Sequence, residues 1–420
     1  MEARYRSTLW ACCFANFFQA VGSCFAILYV PLRGLYGLSF TDFGILVSLN
    51  FITQVASDVL FSKPVEKYGF RPFAVAAPLV SAAGLGLFAA APLLFPRRPF
   101  AGFCAGMFLF AAAGGLQELL LSPILDALPI PEERKARSMS MLHSFFAWGQ
   151  IFVVLATTGL LAVWGAARWQ WIVLLWAAPP VAGAVLFCRV PLARKNGGAP
   201  PLPLRALARK GVFYALLAAI VLGGAAEVTM AQWASAFLEK GLRLPKLAGD
   251  VWGVCFFSLM LALGRSGYAA LGARVPLHRL LIGGSGAAAV LYVVCALAQS
   301  PLLGGLACGL TGLCVSLLWP GAIILASRRI PSAGAAMFAL LSAGGDVGAS
   351  LGAFCVGRAA DWAQASGTVF AGAAGESGAL RAGLLLAAVF PLLCCGVHTA
   401  LHCTEARGGL PAGSERRHRQ

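Results

Sequence analysis

Residues 72–95 read PFAVAAPLVSAAGLGLFAAAPLLF, an apolar run of 24 residues with no charged side chain. A membrane-spanning helix needs about 20 such residues to cross the hydrocarbon core of a bilayer. The run is continuous, whereas the strands of a membrane β-barrel alternate polar and apolar side chains over about 10 residues. It therefore predicts a membrane-spanning helix.

Similar apolar runs recur on both sides of this one. Hydrophobic residues make up 59% of the 420 residues and charged residues 11%, against about 25% charged in an ordinary soluble protein. This excludes a soluble multidomain protein, which could not cover its surface, and it excludes intrinsic disorder. The predicted fold class is therefore all-α, a polytopic membrane protein. We predict twelve spans, at residues 9–32, 40–61, 72–95, 99–125, 138–164, 168–188, 211–238, 247–270, 277–299, 301–326, 333–358 and 380–402.

The basic residues predict the orientation of the chain. The net charge is +16, with 32 Lys and Arg residues. With the N-terminus inside, 23 of these fall on inner segments and nine on outer segments, namely Arg33, Arg97, Arg98, Arg168, Lys240, Arg243, Lys246, Arg358 and Arg381. The positive-inside rule then places both termini in the cytoplasm, in a multi-pass protein of the plasma or inner cell membrane. The charge reflects topology, so we expect no nucleic-acid partner.

The twelve spans divide into two predicted domains of six. The longest inner connection contains NGGAPPLP at residues 196–203, a stretch typical of a linker. A shift of 207 residues overlays spans 1–2 on spans 7–8 and sets Asp58 opposite Arg265, which indicates an internal repeat; chance similarity of Gly- and Ala-rich helices is the alternative. Two like-oriented bundles are the plan of a parallel-repeat transporter. The predicted parts are an N-terminal bundle (1–188), a cytoplasmic linker (189–210), a C-terminal bundle (211–402) and a basic cytoplasmic tail (403–420).

The loop after the second span carries a resemblance to a known family. Residues 62–71 read SKPVEKYGFR, similar to the G-x-x-x-D-R-x-G-R-R loop of the major facilitator superfamily, and the second-half copy keeps only Arg274. Further matches follow in order on spans 4, 5, 7 and 10: QELLLSP (117–123), LHSFFAWG (142–149), GAAEV (224–228) followed by Trp233, and WPG (319–321). The chain resembles this superfamily over nearly its full length, and within it most resembles the fucose-permease-type sugar:proton symporters.

The resemblance implies a secondary active transporter of a small polar solute, a sugar, that works by alternating access with proton symport. The alternatives are a proton-coupled exporter of drugs or other hydrophobic solutes and, from another class, a non-transporting nutrient receptor. We expect no enzyme activity, cofactor or metal, because the sequence shows no phosphate-binding loop, no nucleophile–base pair and no C-x-x-C spacing among its 13 cysteines. The expected partners are the solute, protons and membrane lipids, and we expect a monomer.

Asp42 and Asp250 lie at the outer ends of predicted spans 2 and 8 and are counted as outer-segment acids. Four further acidic residues lie inside predicted spans: Asp58, Glu118, Glu227 and Asp346. A charged side chain at bilayer depth costs about 2.5–3.5 kcal/mol, so each is a candidate for function. Glu118 is interpreted as the proton-coupling or hydroxyl-binding group, and the alternative is a neutral carboxyl satisfied by a neighbouring helix. Glu227 and Asp346 are candidates for solute or proton binding in the second bundle, or else structural carboxyls. Because span 1 contains no acid, either Glu118 works alone, or Glu227 or Asp346 supplies a second group, or coupling is absent.

Charged residues and one glycine near the inner ends of the spans predict an inner gate, formed by Asp58, Glu66, Lys67, Gly69, Arg71, Arg265 and Arg274. Such a cluster holds one bundle against the other in one state and releases it in another. The alternative is a set of ordinary interfacial charges whose side chains snorkel to the membrane surface.

Six neutral side chains are further candidates for binding solute or protons: Asn16, Gln19, His143, Trp148, Gln150 and Trp233. The amides suit sugar hydroxyls, the imidazole of His143 could relay protons, and the two indoles could stack on a sugar ring. Each has a structural alternative: an interhelical hydrogen bond, a hydrogen-bonded core histidine, or aromatic packing.

Overall fold

The computed structural model describes residues 3–128, 132–192, 207, 209–271, 276–330 and 334–407. In these ranges the chain is helical apart from short connections, one of which holds a single β-bridge between Phe370 and Ala373. The all-α prediction and the count of twelve spans are both confirmed. The spans, numbered 1–12 in chain order, are Tyr5–Tyr36, Phe40–Phe61, Phe70–Leu94, Pro99–Leu125, Ser144–Trp164, Ala166–Arg189, Gly211–Gly241, Lys246–Tyr268, Leu277–Leu297, Pro301–Ala326, Leu340–Ala365 and Gly375–Thr404.

Several spans are built from more than one helical segment. The α-helices are Ala3–Gln19, Cys24–Tyr36, Phe40–Tyr68, Phe70–Leu94, Pro99–Asp126, Glu132–Trp164, Trp169–Trp176, Ala178–Arg189, Gly211–Ala236, Lys246–Asp250, Phe256–Leu271, Leu277–Leu297, Pro301–Val315, Leu318–Arg329, Gly334–Ala365, Gly375–Ala387 and Val389–Arg407. Short 3₁₀ turns at Ala20–Ser23 and Ala166–Arg168 continue spans 1 and 6, and π turns at Phe237–Gly241 and Val251–Cys255 continue spans 7 and 8.

The predicted loop at 62–71 is mostly helix. The helix of span 2 continues to Tyr68 and the helix of span 3 begins at Phe70, so a single residue separates them. That residue, Gly69, has φ +80°, a backbone conformation that residues other than glycine rarely adopt. The chain therefore reverses direction on one glycine rather than on a ten-residue loop.

The alternation of spans gives the molecule two ends. We call the end formed by residues 37–39, 95–98, 165–168, 242–245, 298–300 and 366–374 the distal face. The opposite end, where the chain enters span 1 and leaves span 12, is the terminal face. Of the predicted linker (189–210), residues 193–206 and 208 lie outside the described residues, and so do residues 408–420 of the predicted tail (403–420). Residues 403–407 continue the last helix of span 12 instead of belonging to the tail.

Spans 1–6 form the first half of the molecule and spans 7–12 the second half. Glycines allow close approach within each half: a Cβ on Gly106 of span 4 would meet the backbone of Phe88 in span 3, and one on Gly348 of span 11 would meet the backbone of Val221 in span 7. The largest apolar core lies in the second half and extends into the first through Tyr29 and its neighbours. Spans 2 and 11 pack directly on each other and join the halves.

Candidate functional site

The two halves are closed against each other toward the distal face. Asp361, on span 11, accepts hydrogen bonds from the backbone N–H groups of Phe40 and Thr41, at 3.0 and 2.6 Å. These N–H groups belong to the first turn of span 2, where a helix has no internal acceptors, so Asp361 caps that helix from the other half. Arg33 forms an ion pair with Glu376, at 3.0 Å between Nη2 and Oε1.

An aromatic cluster lies beneath these polar contacts. Trp233, on span 7, is fully buried, and its ring centroid lies 5.8 Å from that of Tyr29 and 5.0 Å from that of Phe43. Its indole N–H donates to the carbonyl of Ala353 at 3.3 Å. In this conformation Trp233 therefore packs between the halves and presents no free ring face to a solute.

Spans 5 and 8 make a second contact at the same end. The fully buried carboxylate of Asp250 accepts hydrogen bonds from Thr158 of the first half, at 2.6 Å, and from Ser235, and forms an ion pair with Lys246 at 2.6 Å. Asp250 was not among the site residues predicted from the sequence. The i,i+4 spacing of Lys246 and Asp250 signalled the ion pair, but no local pattern indicated Thr158.

We call these contacts between the halves the distal seal; they join Asp361 to Phe40 and Thr41, Arg33 to Glu376, Trp233 to Tyr29 and Phe43, and Asp250 to Thr158. Toward the terminal face, the exposure of Glu118 indicates a cleft between the halves. Glu118, on span 4, is surrounded by protein atoms and yet keeps an exposed side chain, so its exposed surface faces this cleft rather than the outside of the bundle.

The glycines of span 4 bring Glu118 to Asp58. A Cβ on Gly115 would lie 2.6 Å from the carbonyl oxygen of Gln54, so spans 4 and 2 touch through their backbones at this level. Since both helices run toward the terminal face, one turn further on Glu118 and Asp58 become neighbours, and their carboxyl groups interact electrostatically. Oδ1 of Asp58 is buried and has no hydrogen-bond partner among the described residues.

Asp346 completes a group of three carboxyls that spans both halves. It lies on span 11, one turn before Ser350, whose carbonyl accepts a hydrogen bond from Ser48 of span 2 at 2.9 Å. Its side chain is 5% exposed and interacts electrostatically with both Glu118 and Asp58. We call Asp58, Glu118 and Asp346 the carboxyl cluster. Of the three, Glu118 is the one open to the cleft.

Glu227 and Arg265 form an ion pair inside the second half. Oε1 of Glu227 lies 2.7 Å from Nη2 of Arg265, and the Nε of Arg265 donates to the carbonyl of Ser316 at 3.1 Å. The side chain of Glu227 is 12% exposed and that of Arg265 is 35% exposed. The observed partner of Arg265 in this conformation is therefore Glu227, not Asp58, its repeat counterpart.

Removing the arginine should destabilise the protein more than removing the pair. We expect Arg265→Ala to cost about 2–4 kcal/mol, because it leaves the largely buried Glu227 carboxylate unpaired. The double variant Glu227→Gln/Arg265→Ala should recover at least half of that loss. Thermal unfolding of the purified proteins, followed side by side, measures both; equal unfolding temperatures for the single and double variants would contradict the assignment.

The neutral candidates separate into three groups. The Nδ2 of Asn16 donates to the carbonyl of Leu142 at 2.8 Å, an interhelical hydrogen bond of the structural kind. Oε1 of Gln19 is buried and has no hydrogen-bond partner among the described residues. Trp148 is 58% exposed and Gln150 is partly buried, whereas the side chain of His143 lies outside the described part of the chain. The Oδ1 of Asn50, on span 2, is also buried without a hydrogen-bond partner among the described residues. Asn50 was not predicted as a site residue, although it is a polar residue within a span, eight positions before Asp58.

The predicted inner gate stays a prediction, because this conformation is closed at the other end. Arg71 donates to carbonyls at the end of span 6, to Cys188 at 2.7 Å and to Val190 at 2.9 Å, and Lys67 lies over the ring of Tyr68 at 5.1 Å. The side chain of Glu66 and all of Arg274 lie outside the described residues. Among the residues that the structure describes, no group of three or more His, Cys, Asp or Glu side chains is arranged to hold a metal ion.

Comparison with known proteins supports the fold. A family model described as the Major Facilitator Superfamily matches residues 9–353. A bacterial homologue of the human lysosomal transporter Spinster, in an inward-facing and occupied conformation, superposes with a TM-score of 0.77 at 12% identity, covering 98% of this chain and 100% of that one. A D-xylose-proton symporter gives 0.72 at 16% identity (93% and 97% covered), and FucP in the outward conformation gives 0.63 at 15% identity (94% and 98% covered). No curated protein sequence matches the chain.

Proposed function

The chain belongs to the major facilitator superfamily, and we propose that it is a secondary transporter that carries a sugar or similar small polyhydroxylated solute across the membrane together with a proton. The observation that carries the proposal is Glu118, a carboxyl open to the cleft between the halves and beside two further acids. A carboxyl in that place can accept a proton from one side and, after the halves rock, release it to the other.

The polar groups around the cleft favour a neutral solute. The buried amide oxygens of Gln19 and Asn50, which have no partner among the described residues, can accept hydrogen bonds from hydroxyl groups. An organic anion would be repelled by the carboxyl cluster whenever those groups are ionised.

We further propose that both termini are cytoplasmic and that the protein resides in the cell membrane. The count of 23 inner and nine outer basic residues supports this orientation. The cleft then opens to the cytoplasm and the distal seal faces outside.

Reconstitution into proteoliposomes tests the proposal. Labelled pentoses, hexoses and nucleosides are offered with and without an inward proton gradient. We expect at least one sugar to accumulate only with the gradient, and a protonophore to abolish the accumulation. Efflux of cationic dyes without uptake of any sugar would support the exporter instead, and sugar binding without counterflow would support the receptor.

A further inference from the structure

A cavity of about 540 Å³ lies on the flank of the first half, away from the cleft. Spans 5 and 6 are joined near the middle of span 6, where the Nε1 of Trp176 donates to Thr157 at 3.0 Å. Toward the terminal face the two spans separate, and span 1 forms the back of the resulting groove. Span 6 packs on spans 1 and 3 of its own half, so the groove opens sideways into the bilayer.

Aromatic rings line most of this flank groove: Trp10, Phe14, Phe17, Phe18 and Phe145. Trp10 and Phe17 meet Phe145 edge to face, with ring centroids 5.9 and 6.4 Å apart. Trp10 nevertheless stays 47% exposed, because no protein segment among the described residues covers it. A rigid apolar trough at bilayer depth matches a hydrocarbon chain, which has no polar group to satisfy.

Positive charge stands at the terminal end of the groove. Arg6 precedes the groove residue Ser7, Arg189 precedes the groove residue Val190, and both arginines are exposed. The hydroxyl of Thr8 donates to the carbonyl of Pro191 at 2.6 Å and ties these two chain segments together. The guanidinium of Arg71 is at the same place, bound to the carbonyl of Val190. Guanidinium groups at the membrane surface attract phosphate.

We propose that the flank groove binds one anionic phospholipid, with an acyl chain along the aromatic rings and the headgroup phosphate at Arg6 and Arg189. The apolar depth and the basic mouth together match the two ends of such a lipid. A phospholipid with zwitterionic headgroup shares the chain but carries a cation that the arginines repel, so the site discriminates between headgroups of equal chain length.

Native mass spectrometry of the full-length protein, purified in detergent and mixed with phosphatidylglycerol and phosphatidylcholine of identical chains, tests the proposal. We expect preferential retention of phosphatidylglycerol. Arg6→Ala/Arg189→Ala should weaken its binding by about 30-fold, since each basic residue near the surface contributes roughly fivefold. Arg97→Ala/Arg98→Ala removes the same charge from exposed positions on the distal face and should leave retention unchanged. Equal loss in both double variants, or no loss in the first, would overturn the proposal.

A second variant separates the groove from the charges. Leu186→Trp places an indole in the groove and should release phosphatidylglycerol, whereas Leu392→Trp, at an exposed position on span 12, should not. The fluorescence of Trp10 is obtained as the difference between the wild type and Trp10→Phe. Phosphatidylglycerol with brominated chains should quench this fluorescence, and phosphatidylcholine with brominated chains should quench it less. Equal quenching of the Trp10 fluorescence by the two brominated lipids would contradict the proposal. If Leu186→Trp dissociates a dimer and leaves lipid retention unchanged, the groove binds a second copy of the chain instead.

Discussion

Glu118→Gln is expected to abolish uphill transport and to spare exchange. With two pH units across the membrane, one proton per solute supports accumulation of about 100-fold, because each unit is worth about 1.36 kcal/mol. A glutamine keeps the shape and hydrogen-bonding capacity of the protonated carboxyl but cannot release a proton. The accumulation ratio should therefore fall to about 1, while counterflow of labelled against unlabelled solute continues.

Asp126→Asn provides the matched control, since it removes a carboxylate from the terminal end of the same helix. Accumulation in that variant should equal the wild-type value. Gradient-driven accumulation that survives in Glu118→Gln would transfer the coupling role to Asp346 or Asp58, the other members of the carboxyl cluster. Loss of counterflow as well would indicate that Glu118 holds the solute itself.

Gly357→Leu is expected to trap the transporter with its distal face open. A Cβ at this position would lie 2.5 Å from the carbonyl oxygen of Phe40 and 3.3 Å from the Cα of Thr41, and backbone atoms cannot move aside as a side chain can. Closing the distal seal over a leucine should cost about 1–3 kcal/mol or more. Net transport should fall by roughly 10- to 100-fold, because each cycle requires that closure.

Hydrogen–deuterium exchange read by mass spectrometry reports the trapped state without labelling. In Gly357→Leu, amides in 33–44 and 357–376 should exchange faster than in the wild type, and amides near the terminal ends of spans 2 and 11 more slowly. Gly86→Leu, at a helical position with open space around the glycine, is the control and should change neither segment. Normal transport together with wild-type exchange in Gly357→Leu would show that spans 2 and 11 do not need to approach this closely.

The twelve spans could be predicted because hydrocarbon imposes the same length and polarity on every crossing. The acids inside them could be singled out for the same reason, since each is costly there. The grouping of these acids in space could not be predicted from the sequence. Asp58 and Glu118 are neighbours because Gly114 and Gly115 let span 4 approach span 2. Asp346 interacts with both of them although it lies 228 positions after Glu118 in the chain.

The distal seal shows most clearly what a single sequence conceals. Asp361 caps a helix that begins 321 residues earlier, and Thr158 finds Asp250 across 92 residues. Neither contact leaves a local pattern. Trp233 illustrates the opposite difficulty: its place on span 7 was predicted from the family resemblance, but the packing of Tyr29 and Phe43 around it makes it part of the seal in this conformation.

The polar contacts of the distal seal also determine how easily the molecule changes state. In the seal, the N–H groups of Phe40 and Thr41 and the hydroxyl of Thr158 bond to protein when the face is closed, and so does the hydroxyl of Ser48 beside the seal. Water can take each acceptor's place when the face opens. A neutral hydrogen bond exchanged in this way has a net worth of about 0.5–1.5 kcal/mol, and one to a carboxylate, as in three of these four, has about 1.5–3 kcal/mol. Inverting a population from 1:99 to 99:1 requires about 5.5 kcal/mol, comparable to all four together. To invert the population by itself, a solute must therefore bind one state about 10⁴-fold more tightly than the other.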